Sequence, residues 1–282
     1  MTSKFTRLIR FEDPQGKIHY GEAGADWKLN LQGQTLPTYD ITSSWASEFP
    51  LSGQKAEVAK ILSPLETIPL MFGIGLNYKS HAEEANLPIP SYPVLFTKFG
   101  DVLAGPYQDI PIPLVAKDLD YEGELCVVIG KDAKNLAEDA DLSEYILGYT
   151  TGNDVSARFW AWPKQSGGQY GHSKSFDQFG PIGPVITSPA ALGDPQNLCL
   201  KTWVNGEIKQ NNNTNNMIFD VAAVVRHMSQ GITLKRGTVI MTGTPDGVLA
   251  CKKSQVYLNS GDLVEVEIEK IGKIANKMVF TS

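Results

Sequence analysis

The chain has 282 residues, of which 42% are hydrophobic and 20% are charged, a composition typical of a globular protein with a substantial core. Its net charge of −6, without a run of basic residues, argues against nucleic acid and against an anionic membrane as partners. An anionic substrate would therefore have to be attracted by local positive charge.

Residues 1–67 are predicted to form short strands and turns, because segments 5–11 and 18–22 flank the turn sequence Asp-Pro-Gln-Gly. The first ten residues lack the apolar core of a secretory signal, and no run reaches the length of a transmembrane span. We expect an intracellular protein, most simply cytoplasmic, with the mitochondrion as the alternative. A boundary near residue 67 separates a small β-rich N-terminal domain, residues 1–67, from a larger domain, residues 68–282.

Strands dominate the larger domain. A buried strand is predicted at 70–75 and a short polar helix at 77–86. Apolar and β-branched runs bounded by Gly, Pro, Asn or Asp predict further strands at 94–96, 125–129, 146–151, 199–204, 239–242 and 263–268. Asn205-Gly206 predicts a hairpin turn, and residues 219–230 have the periodicity of an amphipathic helix. Together, these elements predict a β-rich α+β protein rather than one with alternating βαβ units.

Three carboxylates are the first candidate site. Glu122 and Glu124 are two residues apart, and Asp154 follows the next apolar run. Alternate strand residues share a face, so the two glutamates are predicted to lie roughly 6.6–6.8 Å apart along the strand. Such oxygen donors suit a hard cation, Mg²⁺ or Mn²⁺, or Ca²⁺ in a crystal, better than zinc. The alternative is a half-exposed strand whose acids face solvent.

His81 and Glu84 are the second candidate pair. On a helix, residues three apart are neighbours on one face. A carboxylate beside an imidazole raises its basicity and fixes its tautomer, which a general base needs. A surface helix pair is the alternative, and His172 competes for the role of the base.

Two further segments carry groups that bind carboxylate or carbonyl oxygen. Arg158 and Lys174 lie in a region punctuated by glycine and proline, where cationic side chains dock carboxylates. Thr244 lies in the turn Thr-Gly-Thr-Pro-Asp-Gly after an apolar strand. Among the three cysteines, Cys126 and Cys199 lie in apolar stretches and are predicted to be buried free thiols.

The order of these motifs is more informative than any one of them. The chain carries Gly-x-Asn-Tyr-x-x-His-x-x-Glu at 75–84, Glu-x-Glu-Leu-x-Val-Val-Ile-Gly at 122–130, Asn-Asp-Val-Ser-Ala-Arg at 153–158, Ser-Lys-x-Phe-Asp-x-Phe-x-Pro-Ile-Gly-Pro at 173–184 and Thr-Gly-Thr-Pro-x-Gly-Val at 242–248. Together they resemble the fumarylacetoacetate hydrolase (FAH) family over about residues 70–280, in particular its acylpyruvase, oxaloacetate decarboxylase and oxaloacetate tautomerase branch.

The resemblance implies a fold and a role for each candidate residue. The fold would be a mixed β-roll or sandwich catalytic domain, usually homodimeric, preceded by a smaller N-terminal domain. The implied roles are divalent-metal ligands for Glu122, Glu124 and Asp154, a catalytic lid-helix dyad for His81 and Glu84, the catalytic site lysine for Lys174, and substrate binding for Arg158 and Thr244.

Two positions depart from the family pattern. Many relatives carry Gln three residues after the arginine, where this chain has Ala161, and Leu76 replaces the arginine of a Gly-Arg-Asn sequence. The missing Gln bears on the identity of the substrate and on the orientation of water for hydrolysis, and neither change touches the predicted metal ligands.

The expected function is that of a Mg²⁺- or Mn²⁺-dependent enzyme acting on a small 2-oxo or 1,3-dicarbonyl acid through an enolate stabilised by the metal. The reaction would be C–C bond hydrolysis of an acylpyruvate or decarboxylation of oxaloacetate. One alternative is oxaloacetate keto–enol tautomerisation, and another is a non-catalytic, metal-binding dimer with the same fold.

Overall fold

The computed structural model describes residues 5–252 and 254–281. Within these ranges the strands are β1 (Arg7–Glu12), β2 (Ile18–Glu22), β3 (Thr35–Tyr39), β4 (Leu51–Glu57), β5 (Lys60–Ile61), β6 (Met71–Gly75), β7 (Val94–Lys98), β8 (Leu103–Ala104), β9 (Ile110–Pro113), β10 (Leu119–Asp120), β11 (Gly123–Ile129), β12 (Ile146–Asn153), β13 (Ser156–Ala157), β14 (Gly180–Thr187), β15 (Cys199–Val204), β16 (Glu207–Asn213), β17 (Val239–Met241), β18 (Leu263–Ile268) and β19 (Gly272–Thr281).

The helices are short. The α-helices of the described residues are α1 (Lys79–Glu84), α2 (Pro163–Ser166), α3 (Pro189–Leu192) and α4 (Val221–Ser229). Single 3-10 turns occupy Gly100–Val102, Leu142–Glu144, Arg158–Ala161, His172–Lys174, Thr214–Asn216 and Leu249–Cys251. Within the described ranges, no helix has the length and apolar character needed to cross a membrane.

Most strands belong to two sheets. The large sheet has the order β4-β3-β2-β1-β14-β12-β11-β17-β6-β7, with β5 beside β1 and β8 beside β14. The second sheet has the order β16-β15-β18-β19-β9, and β10 pairs with β13. The pairings are mostly antiparallel, and β17 with β6 is a parallel exception. The predicted β-rich α+β class is confirmed.

The two sheets meet closely at β11. A Cβ atom on Gly123 would lie 2.3 Å from Thr202 Oγ1 on β15, so this position has room only for glycine. Every residue of β11 and of β12 is buried. The centre of the large sheet is therefore covered on both faces, and the candidate metal ligands lie at the ends of these two strands.

The N-terminal strands extend the large sheet. Arg7 of β1 pairs with Thr187 of β14 in antiparallel register. β2 and β5 both pair with β1, and β3 and β4 continue beyond β2. The division into two domains at residue 67 stays a prediction. Strands from both sides of that position belong to the large sheet.

Local signals of the sequence correspond to local structure. Asn205 and Gly206 connect β15 to β16 with φ angles of 51° and 81°, the left-handed pair of a tight hairpin turn. The predicted helix at 219–230 is α4, whose first turn is capped by Asp220 accepting a hydrogen bond from the Ala223 amide at 2.6 Å. The helix at 77–86 is present as the shorter α1.

Only one of the two cysteines predicted to be buried is so. Cys126 on β11 is buried, whereas Cys199 is exposed. Cys199 begins β15, whose residues alternate between exposed or half-buried and buried positions, and its side chain is on the outer face. The apolar stretch around Cys199 predicted the strand correctly, but it did not indicate which face of the strand carries the thiol.

Candidate active site

The three predicted metal ligands converge at the ends of β11 and β12. These strands pair so that Gly123 lies opposite Asn153, which brings Glu122 and Glu124 beside Asp154. The Asp154 amide donates to the Glu122 carbonyl at 2.8 Å and closes the pairing. One oxygen from each carboxylate lies within 4.8 Å of the others, and all three residues are buried. We call this group the acidic triad; the solvent-facing alternative is wrong because both faces of β11 are covered.

A glycine turn fixes Glu124. The Gly243 amide donates to Glu124 Oε2 at 2.6 Å. Gly243 has φ of 101°, and a Cβ atom there would lie 2.6 Å from the Cβ of Asn77. This backbone geometry therefore requires glycine, and it aims a main-chain donor at a buried carboxylate.

Two buried lysines bind the triad. Lys174 Nζ donates to Glu122 Oε2 at 2.7 Å, to Asp154 Oδ2 at 2.5 Å and to Ser156 Oγ at 3.0 Å. Lys98 Nζ donates to Asp154 Oδ1 and to the Phe179 carbonyl, the latter at 2.9 Å. Lys174 was predicted as a site residue, whereas Lys98 was missed. Its signal in the sequence is weak: a single lysine at the end of an apolar strand.

Arg158 is held by two acids. Its Nε donates to Asp120 Oδ2 at 2.9 Å, and one terminal nitrogen donates to Glu122 Oε1 at 2.6 Å. Asp120, also missed in the sequence, accepts from the amides of Leu249 and Ala250 at 3.0 Å each. The guanidinium thus orients Glu122 in addition to bordering the cavity described below.

The charges around the triad explain how its acids titrate. Burial opposes ionisation of Glu122, but Lys174 and Arg158 outweigh it and hold its pKa far below the usual range. Burial, followed by the charges of Asp154 and Glu122, raises the pKa of Glu124 well above its ordinary value. Glu124 receives a backbone amide rather than a lysine as its hydrogen-bond partner. A divalent cation among these oxygens would supply the missing positive charge, so the donor set fits Mg²⁺ or Mn²⁺.

His81 and Glu84 face each other across one turn of α1. His81 Nδ1 lies 3.8 Å from Glu84 Oε2, beyond hydrogen-bond distance, and both side chains are largely buried. Glu84 is fixed by the Gly247 amide at 2.9 Å and by Lys252 Nζ at 3.0 Å. His81 Nδ1 is buried and has no hydrogen-bond partner among the described residues. Glu84 is thus fixed by hydrogen bonds, whereas His81 has a ring nitrogen without a partner among the described residues.

The dyad is charged at neutral pH. Burial lowers the pKa of His81, but the Cys251 thiol and the Glu84 carboxylate together raise it to about 9. Burial raises the pKa of Glu84, but His81, the Gly247 amide and Lys252 lower it to about 2. A histidine with a pKa near 9 carries its proton at neutral pH, so it is ready to donate before it accepts.

A cavity of about 170 Å³ joins the dyad to the triad. It is lined by Ile74, Gly75, Leu76, His81, Leu87, Val94, Phe96, Glu122, Arg158, Tyr170, Lys174 and Thr244. The lining combines charged and polar groups with aliphatic and aromatic side chains. Its size suits a molecule of a few carbon atoms, with cationic groups for its acidic end.

Two other candidates take different positions. The Thr244 hydroxyl lines the cavity but donates to the Gly123 carbonyl at 3.0 Å and accepts from Gln210 Nε2 at 2.8 Å. His172, the competing histidine, packs its ring against Trp160 and Phe176 with centroids 5.0 and 5.3 Å apart, and it is not among the cavity residues. Of the two histidines, His81 is the one that borders the cavity.

Comparison with known proteins identifies the family. The family model described as fumarylacetoacetate (FAA) hydrolase C-terminal matches residues 70–279. The chain belongs to the FAH family. The resemblance found in the ordered motifs is confirmed, and the protein is an enzyme of a family whose members are generally metal-dependent and process small acids.

Named relatives match most of the chain or nearly all of it. A Rattus norvegicus protein, oxaloacetate tautomerase Fahd2a, mitochondrial, is 36% identical over 289 residues, covering 97% of this chain and 91% of the relative. The fumarylacetoacetate hydrolase domain-containing protein 2 homolog of Dictyostelium discoideum is 44% identical over 231 residues, covering 79% of this chain and 75% of the relative. The mitochondrial tautomerases agree with the expectation of an intracellular FAH enzyme.

Solved FAH-fold structures include enzymes of two reaction types. The 2-hydroxyhepta-2,4-diene-1,7-dioate isomerase from Mycobacterium marinum matches with a TM-score of 0.81 and 34% identity, covering 98% of this chain and 99% of that one. A fumarylacetoacetate hydrolase from Exiguobacterium antarcticum matches with a TM-score of 0.80 and 31% identity, covering 98% and 99%. The fold alone therefore does not choose between isomerisation and hydrolysis.

Proposed function

We propose that this FAH enzyme interconverts the keto and enol forms of oxaloacetate, with Mg²⁺ or Mn²⁺ bound by Glu122, Glu124 and Asp154. The observation that carries the proposal is the small cavity that His81, Lys174 and Glu122 share. The tautomerase relatives, one of them similar over 97% of this chain, support the choice of substrate.

The cavity residues have separate tasks in binding. Lys174 and Arg158 supply positive charge for a substrate carboxylate, and the apolar side chains of Phe96, Val94 and Leu87 limit the length of the molecule. Glu122, Glu124 and Asp154 would hold a divalent cation, which would supply Lewis-acid chemistry at this site.

Tautomerisation moves one proton and needs a carrier. The C–H bond at carbon 3 breaks, the electron pair shifts towards carbon 2, and the carbonyl oxygen gains a proton, so that no atom is lost. The imidazolium of His81, whose pKa is about 9, donates its proton to that oxygen, and the neutral ring then accepts the proton of carbon 3. Glu84 stabilises the charged ring from the next turn of α1.

Hydrolysis of an acylpyruvate is the second candidate, with decarboxylation of oxaloacetate as its variant. It is favoured by the fumarylacetoacetate hydrolase among the similar structures. Hydrolysis requires water as a nucleophile, and His81 would then serve as its base. Ala161 has no side-chain group with which to orient that water.

One experiment separates these reactions. With Mg²⁺ or Mn²⁺ present, the enol absorbance of oxaloacetate is followed while pyruvate is measured in the same samples. We expect the enol signal to relax faster with enzyme while pyruvate stays at the rate without enzyme. Pyruvate released in step with the loss of oxaloacetate would identify a decarboxylase, and cleavage of acetylpyruvate would identify a hydrolase.

The same relationship supports proposals for the assembly and the compartment. We propose a homodimer, as the resemblance to the family implies, and a mitochondrial location by analogy with the tautomerases. Sedimentation of the purified chain tests the dimer, and imaging of the tagged full-length protein in its own cells tests the location.

A further inference from the structure

Cys251 lies beside the dyad but neither binds substrate nor transfers a proton in the proposed reaction. It ends the 3-10 turn Leu249–Cys251, which follows the loop that fixes Glu84. One ligand atom each from His81, Glu84 and Cys251 lies within 4.8 Å of the others, and all three residues are half-buried. We call these three residues the α1 cluster.

The donor atoms of the α1 cluster differ from those of the acidic triad. A ring nitrogen, a carboxylate oxygen and a thiol sulfur form a mixed set, which suits zinc better than magnesium. Zinc bond lengths of about 2.0–2.3 Å put the ligands of a tetrahedral site roughly 3.3–3.8 Å apart. His81 Nδ1 and Glu84 Oε2 are already 3.8 Å apart. Three protein ligands would leave the fourth position for water.

The cluster is also prepared for a cation. His81 Nδ1 is buried without a hydrogen-bond partner in the described part of the chain, which is an unfavourable state for a polar atom. Glu84 is held in one orientation by the Gly247 amide and Lys252, so little conformational entropy remains to be lost on binding. A carboxylate with two such donors still has free lone pairs.

We propose that His81, Glu84 and Cys251 form an inhibitory site for a zinc-class cation, distinct from the Mg²⁺ or Mn²⁺ site of the triad. On binding, the imidazolium of His81 and the thiol of Cys251 each release a proton to solvent, and the two residues coordinate as neutral imidazole and thiolate. With zinc on Nδ1, the other ring nitrogen of neutral His81 keeps its hydrogen, so the ring can no longer take up and release the second proton on which the proposed reaction depends. The inhibition rests on the proposed function, whereas the binding does not.

The test uses the full chain saturated with Mg²⁺, so that the triad is occupied. Zinc binding is measured by competition with a chromophoric chelator, and activity on oxaloacetate is followed in parallel. We expect one zinc per chain and loss of activity over the same zinc range. Cys251→Ser should weaken zinc binding by at least about tenfold, and its inhibition by zinc is measured relative to its own Mg²⁺-dependent activity without zinc. Cys199→Ser, which changes an exposed thiol on β15, is the matched control and should bind zinc as the wild type does.

A spectroscopic reading identifies the ligands independently of activity. Co²⁺ added in place of zinc should give a sulfur-to-metal charge-transfer band that Cys251→Ser abolishes and Cys199→Ser retains. Equal zinc affinity and inhibition in wild type and Cys251→Ser would overturn the proposal, as would an absent sulfur band. If one zinc binds through Cys251 but oxaloacetate is not turned over, the zinc site stands and the proposed function fails.

Discussion

The acidic triad and the α1 cluster each contribute one residue to the lining of the same cavity, Glu122 and His81, but they stand on different kinds of structure. The triad stands on two long, fully buried strands, and its three carboxylates are held by Lys98, Lys174 and a glycine amide. The α1 cluster stands on a helix of six residues and a 3-10 turn, and its side chains are half-buried.

In the proposed reaction, this difference suits the triad to binding a cation and the α1 cluster to transferring a proton. Fixed, desolvated oxygens bind a cation at a constant position because the sheet does not yield. A group on a short helix can approach and withdraw, as a proton carrier must. Substitutions in the triad should therefore remove metal and activity together, whereas substitutions in the α1 cluster should separate them.

Loss of a triad carboxylate should have the largest effect. Glu124→Gln should lower kcat/KM by about 10³-fold or more, because Lewis-acid stabilisation contributes several kcal/mol. Mn²⁺ binding followed by calorimetry should weaken in the same variant. Glu207→Gln, an exposed acid on β16, is the control and should change neither. Metal-independent turnover by Glu124→Gln would contradict the assignment of the triad.

Removal of the proton carrier should come next. His81→Ala should lower kcat by about 10²-fold or more, the usual contribution of general acid–base catalysis. Mn²⁺ affinity should stay unchanged because His81 is not a ligand of the triad. The control is His227→Ala, an exposed histidine on α4 that stacks on Tyr92. If His81→Ala lost metal and activity to the same degree, the separation of the two parts would be wrong.

The smallest effect is expected at Glu84. Glu84→Gln keeps an oxygen for the Gly247 amide but removes the charge that stabilises the imidazolium, so kcat should fall by about tenfold, equivalent to about 1.4 kcal/mol. Because Glu84 helps to raise the His81 pKa to about 9, the alkaline limb of the pH–activity profile should move to lower pH. Glu83→Gln, exposed on the same helix, should leave the profile in place. An unmoved limb in Glu84→Gln would show that another group titrates.

The sequence contained enough to predict the triad and the dyad, since period-two and period-three spacings assign residues to a face. Local spacing did not predict which residues from distant parts of the chain contact these side chains. Lys98 reaches Asp154 across 56 positions, and Asp120 binds Arg158 only because β10 pairs with β13. Cys251 joins His81 through a loop without periodicity. The burial of Cys199 was mispredicted for a related reason: composition indicates a strand but not its outer face.

The stretch from residue 243 to residue 251 has a consequence for how this site can diversify. Its backbone amides support Glu124 at Gly243, Glu84 at Gly247 and Asp120 at Leu249 and Ala250, and it carries Cys251 at its end. A single inserted or deleted residue there would misalign the cation ligands, the proton carrier and the support of Arg158 at the same time. New chemistry at this site should therefore arise through side-chain replacement at constant loop length.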